Sequence, residues 1–240
     1  MRNLNQRLMN MASKMFPFIT CTWNPLGGEC QHRCSYCWAR ALAEKHKMAK
    51  YQGEPRLIDK ELQRQFKAGD FVFVCDMLDL FGAWVGRIEI LAVLDVIRNS
   101  PETKFLLLTK NPKRYLGFAD VLPLNAVLGC TVESNMYLES GISSAPSPLN
   151  RIDAMNVLAD EVENRLFFSV EPIMEFSHPN FAQFLTRRKY QLFGVAIGYD
   201  NYENHLPEPS LAKTQQLIAL LEKAGVKVFR KTLREAWNSA

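Results

Sequence analysis

The sequence has no apolar stretch that could cross a membrane, because no window approaches the roughly 20 apolar residues that a spanning helix needs. Residues 1–17 carry Arg2, Arg7 and Lys14 and no continuous apolar run, so we expect neither a signal peptide nor a membrane anchor. The six cysteines are not spaced as regular pairs, which argues against the disulfide framework of a small secreted protein. These absences predict a protein of the reducing cytosol.

Composition is that of an ordinary globular domain: of 240 residues, 48% are apolar and 22% are charged. The formal charge of +4 is compatible with a phosphate-bearing partner but is too small to argue for one. We find no repeat, low-complexity tract or linker. The sequence therefore predicts an N-terminal extension, residues 1–17, followed by one domain over residues 18–240.

Three cysteines stand close together, Cys30, Cys34 and Cys37, in the stretch Cys-Gln-His-Arg-Cys-Ser-Tyr-Cys. Cysteine thiolates are the usual protein ligands of iron-sulfur clusters, and three of them leave one iron of a cubane open to another ligand. A closed zinc site needs a fourth ligand, for which this stretch offers only His32, and unconnected buried thiols are the remaining alternative. The spacing favours the cluster.

Apolar runs alternate with helical segments along the chain. Strands are expected over residues 18–23, 71–75, 104–109, 126–131, 166–170, 192–197 and 226–229. Helices are expected over residues 37–48, 88–98, 152–158, 181–187 and 210–223, with a short one after Pro112. Such alternation predicts an α/β fold with parallel strands and right-handed crossovers, arranged as an open or nearly closed barrel.

Polar residues follow the apolar runs abruptly. In parallel α/β folds ligands bind at the carboxyl ends of the strands, so these residues are candidates for a site. Each one alone could instead be a helix cap or a turn residue. They are Cys75, Asp76 and Asp79; Thr109, Lys110 and Asn111; Thr131, Glu133, Ser134 and Asn135; Ser169 and Glu171; and Gly198, Tyr199 and Asp200.

The cysteine stretch resembles the signature of radical S-adenosylmethionine (SAM) enzymes, C-x3-C-x-aromatic-C, with Tyr36 as the aromatic residue. The segments Thr22-Trp-Asn-Pro, Asp79-Leu-Phe-Gly, Leu108-Thr-Lys-Asn-Pro, Thr131-Val-Glu and Ser169-Val-Glu-Pro extend the likeness to a small phage-associated and bacterial radical SAM family of unassigned function. That family is distantly similar to spore photoproduct lyase. The resemblance implies a single-domain partial (β/α)6 barrel rather than a flat doubly wound sheet.

The resemblance also implies roles for single residues. Cys30, Cys34 and Cys37 would hold a 4Fe-4S cluster; Asp76 and Met77 would lie beside the methionine part of SAM, and Glu133 would bind its ribose. Lys110 would pair with the SAM carboxylate or only coat the barrel rim. Other cofactor contacts are expected from Tyr36, Asp79, Thr109, Thr131, Ser169 and Gly198.

Two residues are candidates for catalysis. Glu171 would face the substrate or be a structural carboxylate, and Cys75 would be a hydrogen-atom donor or, as is commoner for a thiol at a strand end, a small core residue. The Gly-Gly-Glu that radical SAM enzymes usually carry after the second strand is absent, since Gly27-Gly28-Glu29 precedes the cysteines.

The activity implied by the resemblance is reductive cleavage of SAM to a 5′-deoxyadenosyl radical that abstracts hydrogen from a substrate, with flavodoxin or ferredoxin as the reductant. A nucleic acid or nucleotide is favoured as substrate over a peptide, because Lys110, Lys113 and Arg114 beside Tyr115 could contact phosphate while the ring stacks on a base. A solvated helix start is the alternative. The rival function is a non-catalytic nucleic-acid-binding module stabilised by zinc or a cluster.

Overall fold

A computed structural model describes residues 16–237. The strands are β1 (Cys21–Trp23), β2 (Leu26–Gly27), β3 (Arg56–Leu57), β4 (Phe71–Val74), β5 (Lys104–Thr109), β6 (Ala126–Thr131), β7 (Leu166–Val170), β8 (Leu192–Ile197) and β9 (Val228–Arg230). The α-helices are α1 (Trp38–Lys45), α2 (Asp59–Leu62), α3 (Arg87–Arg98), α4 (Pro148–Glu161), α5 (Asn180–Thr186) and α6 (Leu211–Lys223), and 3-10 segments span Ala49–Tyr51 and Pro112–Val121.

Seven strands form one parallel sheet in the order β1-β4-β5-β6-β7-β8-β9, which follows the order along the chain. A doubly wound sheet would reverse its strand order at a switch point, and this sheet does not. The progression in one direction, with helices in the crossovers, is that of a curled half-barrel. The predicted fold class is confirmed, and the flat alternative is wrong.

The sheet is buried on both faces, as continuous apolar strands require. One face packs against the helices through a large cluster that includes Val72, Leu107, Leu128 and Phe168. The inner face carries a second cluster without helix residues, which the chain before β1 helps to fill: the ring of Phe16 lies 5.0 Å from that of Phe167. Aromatic packing therefore closes the inside of the half-barrel along the strands.

Phe16 lies within the predicted N-terminal extension, yet it packs into this inner cluster. Residues 1–15 lie outside the described residues. Among residues 16–237, no helix combines the length and the apolar character that a bilayer crossing demands.

Helix starts follow ordinary capping chemistry. The Ser147 and Ser210 side chains accept hydrogen bonds from the backbone N–H groups of Asn150 and Lys213, each at 3.3 Å, at the first turns of α4 and α6. Helix α1 begins directly after Cys37, whose Sγ accepts from the N–H of Arg40 at 3.4 Å. The last cysteine of the motif is therefore fixed to the first turn of a helix.

The polar segment 49–69 contains structure that the apolar pattern did not predict. Strand β3 lies in this segment and pairs antiparallel with β2. The guanidinium of Arg56 in β3 donates to the carbonyls of Gln52, Glu54, Ala49 and Lys50 at 3.0 to 3.3 Å. A strand of two residues is too short to show the alternation of apolar and polar residues that identifies a strand in a sequence. The hydrogen bonds from the Arg56 side chain to backbone carbonyls hold this region together instead. The short helix expected after Pro112 is a 3-10 segment of ten residues.

Within that 3-10 segment, Tyr115 is fully buried, and its hydroxyl contacts the carbonyl oxygens of Leu107 and Gly129 at 2.8 and 3.1 Å. Arg114 donates to the carbonyls of Gly82 and Val85. The expected stacking of Tyr115 on a base is therefore wrong, because the ring is part of the core. Arg114 anchors the loop after β4, and only Lys113 of this run is exposed.

Replacing Tyr115 by Phe is predicted to lower the free energy of unfolding by about 1 kcal/mol, because two buried carbonyls lose the hydroxyl between β5 and β6. Urea denaturation measures this difference. Tyr190→Phe is the matched control, since Tyr190 is 89% exposed and its hydroxyl lies on the surface. Equal stability of the two variants would contradict the structural role of the Tyr115 hydroxyl.

Candidate cluster and cofactor site

The cysteine motif forms a loop between β2 and α1. Cys34 is buried, Cys30 and Cys37 are half-buried, and none of the three is in a disulfide. Burial, followed by the charge of Asp79, raises the pKa of Cys30 to about 12, and the charges of Cys37 and Cys34 add to the shift. The three thiols are thus close enough to influence one another, and as thiolates they would need a cationic partner.

Three cysteine thiols on one loop are the donor set that a 4Fe-4S cluster with one open iron would use. Among residues 16–237, no group of three or more His, Cys, Asp or Glu side chains is arranged to hold one metal ion. In a 4Fe-4S cluster each cysteine thiolate would bind a different iron, so the three thiols would not have to meet at a single ion. His32, the one residue of this stretch that could be a fourth ligand of a zinc site, has its Nε2 2.8 Å from Asp79 Oδ2.

Loop 139–146, which precedes α4, packs against the cysteine loop. The N–H of Ser35 donates to the carbonyl of Ile142 at 2.9 Å, and Cys34 Sγ lies 3.1 Å from Ser143 Oγ. On the other side, Arg40 Nη2 donates to the carbonyl of Cys34 at 3.1 Å. The cysteine loop has no regular secondary structure of its own, and these contacts determine its conformation.

Glu133, just beyond β6, is the centre of a buried charge network. Its Oε2 accepts from Arg151 Nη1 of α4 at 2.8 Å, and its Oε1 accepts from Lys110 Nζ and from the hydroxyl of Tyr36 in the cysteine loop. Burial alone would raise the pKa of Glu133, but the positive charges of Lys110 and Arg151 hold that pKa far below its usual range. Glu133 is therefore ionised, and it joins the cysteine loop to β5, β6 and α4.

Asp79 forms a second buried network. Its Oδ2 accepts from Thr109 Oγ1 and the N–H of Lys110 at 2.9 and 2.8 Å as well as contacting His32, and its Oδ1 accepts from the N–H of Phe81 at 2.9 Å. Burial opposes ionisation, yet the hydrogen bond and charge of His32 lower the pKa of Asp79.

The loop after β4 is fixed by Asn24, the third residue of the Thr-Trp-Asn-Pro segment. Asn24 Nδ2 donates to Asp76 Oδ1 at 2.5 Å, while its Oδ1 accepts from the N–H of Met77 at 3.3 Å. Burial raises the pKa of Asp76, which the hydrogen bond from Asn24 partly offsets. The two residues expected beside methionine are thus held by one amide.

At the ends of β7, β8 and β9, Glu171 pairs with Lys231, with Oε2 3.6 Å from Nζ. Gly198 lies beside this pair, and a Cβ there would come 2.7 Å from the Cβ of Lys231 and 3.4 Å from Glu171 Oε1. A side chain at position 198 would therefore displace the pair. Burial raises the pKa of Glu171 and lowers that of Lys231, and their mutual attraction opposes both shifts.

The other predicted site residues lie at the same edge with different degrees of access. Thr131 and Ser169 are adjacent partners in the β6–β7 register and are buried. Cys75 is buried in the core with a left-handed backbone at φ 56°, and burial raises the pKa of its thiol well above the usual range. This placement favours the packing interpretation of Cys75 over a hydrogen-donor role.

Sequence reasoning did not select Arg151, Lys231 or Asn24 as site residues. Arg151 lies within a helix, 18 positions after Glu133, with no motif around it. Lys231 follows a strand of only three residues. Asn24 belongs to a segment quoted for the resemblance, and that likeness was the one available signal for it.

Replacing Arg151 by Met is predicted to destabilise the protein by about 3 kcal/mol, because removing one partner of a buried ion pair leaves Glu133 with Lys110 as its only cation. Chemical denaturation measures the change. Arg188→Met, at the exposed pair with Asp160, is the control and should cost at most about 1 kcal/mol. Similar losses in both variants would show that the Glu133 network does not stabilise the fold as described.

Comparisons with known proteins agree with this architecture. A spore photoproduct lyase variant with bound AdoMet and dinucleoside spore photoproduct is 13% identical with a TM-score of 0.52, over 85% of this chain and 60% of that one. A second spore photoproduct lyase variant is 10% identical with a TM-score of 0.54, over 88% and 75% of the two chains. Streptococcus suis SuiB bound to its precursor peptide SuiA is 9% identical with a TM-score of 0.52, over 96% and 53%.

These structures are radical SAM enzymes, and at such identities the likeness concerns the fold. The chain spans about 60% of the length of the spore photoproduct lyase that it matches. No curated protein matches the sequence. A family model matches residues 14–198, so the chain, whose fold is similar to those of spore photoproduct lyase and SuiB, belongs to the family described as Protein of unknown function (DUF5131).

Proposed function

We propose that this protein is a radical SAM enzyme in which Cys30, Cys34 and Cys37 hold a 4Fe-4S cluster. The observation that carries the proposal is the placement of these free thiols, on a loop tied by Tyr36 and His32 to the carboxyl ends of parallel strands. With one iron open, such a cluster would bind SAM and pass it one electron, which would cleave SAM to methionine and a 5′-deoxyadenosyl radical that abstracts hydrogen from the substrate.

Glu133 is the proposed ribose ligand, and its network suggests how it exchanges partners. Arg151 holds Oε2 from the helix side and is itself anchored to the carbonyl of Thr131 at 2.8 Å, so we assign it a fixed role. The side chain of Lys110 is 15% exposed, and it shares Oε1 with Tyr36. The ribose hydroxyls of SAM would replace Lys110 at Oε1 of Glu133. The ammonium group of Lys110 would then be available to pair with the SAM carboxylate.

Asp76 and Met77 would flank the methionine moiety, because Asn24 presents both at the end of β4. The proposal keeps Tyr36, Thr109, Thr131, Ser169 and Gly198 as residues around the cofactor. Glu171, supported by Lys231, would face the substrate from the far side of the same edge.

The reaction needs an external one-electron reductant such as flavodoxin or ferredoxin. The fold alone does not identify the substrate class, since the fold neighbours include one protein bound to a dinucleoside and another bound to a peptide. Tyr115 cannot stack on a base, because it is buried in the core, and this removes one argument for a nucleic-acid substrate. Exposed Lys113 remains available for a phosphate, and the net charge of +4 is compatible with one.

Anaerobic reconstitution is expected to give about four irons and four sulfides per chain. Single replacement of Cys30, Cys34 or Cys37 by Ala should abolish the cluster, which iron and sulfide analysis will detect. Cys21→Ala and Cys130→Ala are matched controls and should retain it, because these thiols pack in the sheet. Zinc without sulfide in the wild-type protein would instead support the non-catalytic binding module.

The reduced, reconstituted protein is predicted to cleave SAM slowly to 5′-deoxyadenosine and methionine without substrate.

Glu133→Gln should weaken SAM binding by about 1.5 to 3 kcal/mol, the value of a hydrogen bond to a charged group. Calorimetry measures the affinity, and Glu222→Gln, at the surface pair with Arg230, is the control. Unchanged affinity in a folded Glu133→Gln protein would remove Glu133 from the ribose role.

A further inference from the structure

Asp79 was expected to contact the cofactor, but its carboxylate is turned into the protein. It is 7% exposed, and both oxygens are engaged: Oδ1 by the N–H of Phe81, and Oδ2 by Thr109, the N–H of Lys110 and His32. A carboxylate with four protein partners has little capacity left for an external ligand. Its position instead connects the cysteine loop with the end of β5.

His32 is the residue through which Asp79 reaches the cysteine loop, and it stands between Cys30 and Cys34. The imidazole is 4% exposed and packs edge-on against the ring of Trp84 at 4.7 Å. Its backbone carbonyl accepts from the N–H of Ser144 at 2.7 Å. His32 therefore holds the cysteine loop on one side and loop 139–146 on the other.

The backbone next to His32 is strained. Arg33 has φ 49°, in the left-handed region that residues other than glycine rarely adopt, and such conformations persist only where surrounding contacts impose them. Cys34 follows directly, and its Sγ lies 3.1 Å from Ser143 Oγ. The buried His32–Asp79 contact is the anchor immediately before this strained residue.

We propose that His32 and Asp79 form a positioning pair that fixes the cysteine loop in the conformation needed to hold the cluster, and that Asp79 does not contact SAM. This inference rests on the proposed function, because it assigns the pair a task toward the cluster. Replacing a residue that orients a metal ligand without touching the metal itself lowers metal affinity by about 10- to 100-fold. The same carboxylate binds the backbone of Lys110, so the loop and the cofactor-binding lysine share one anchor.

The test compares His32→Ala, Asp79→Asn and the double variant after anaerobic reconstitution. We expect iron release to a chelator to be about 10- to 100-fold faster in each single variant, with an altered EPR spectrum of the reduced cluster in the absence of SAM. The double variant should release iron no faster than the faster single variant, because both changes break the same contact. His32→Gln, which keeps an N–H donor, should restore much of the wild-type behaviour.

His46→Ala is the control, because His46 is exposed just after α1. Wild-type release rates and spectra in His32→Ala and Asp79→Asn would overturn the pair, as would additive effects in the double variant. A SAM affinity reduced in Asp79→Asn with an unchanged SAM-free spectrum would instead make Asp79 a cofactor contact. If circular dichroism shows that Asp79→Asn does not fold, the iron-release rates of His32→Ala and His32→Gln test the proposal by themselves. A wild-type release rate in His32→Ala would then overturn the pair.

Failure of the proposed function would look different, because the wild-type protein itself would then hold no iron-sulfur cluster. In that case amide hydrogen exchange on the metal-free protein still tests the contact. Faster exchange at Ser35 and Ser144, whose N–H groups bond to Ile142 and His32, in His32→Ala than in His46→Ala supports the anchor, and identical exchange overturns it.

Discussion

The buried carboxylate of Glu133 is the constraint on which the site depends. Removing an ionised carboxylate from water costs several kcal/mol unless cations and hydrogen bonds compensate for it. Arg151, Lys110 and Tyr36 supply that compensation from α4, the end of β5 and the cysteine loop. Because no one of these elements can satisfy Glu133 alone, the charge requires them to assemble in one arrangement.

The same logic explains how a loop without secondary structure can be well placed. The cysteine loop is tied to two buried anions, through His32 to Asp79 and through Tyr36 to Glu133. Lys110 touches both, since its N–H binds Asp79 and its ammonium binds Glu133. A ligand that exchanges with Lys110 at Glu133 would therefore act on a residue whose backbone is part of the loop's other anchor.

The strands were predictable because burial on both faces leaves continuous apolar runs: β5, β6, β7 and β8 begin and end at the expected residues. The site was predictable only in part. A strand-end carboxylate such as Glu133 is visible in a sequence, but its partner Arg151 is not, because the contact depends on how α4 packs. The burial of Tyr115 was missed for the same reason, since a basic run with an aromatic residue looks identical in solvent and in a core.

The distribution of side chains inside the half-barrel determines where chemistry can take place. Phe16 and Phe18 fill the inner face against Phe167 and Phe229, so aromatic rings occupy the space along the strands. The polar side chains begin where this packing stops, at the carboxyl ends. We therefore expect a ligand to approach from that end, where the cysteine loop contacts Glu133 through Tyr36 and packs against loop 139–146. The cysteine loop is anchored to buried charges and loop 139–146 packs against it, so in the proposed enzyme the two loops would exclude water from a reactive intermediate without first having to fold around it.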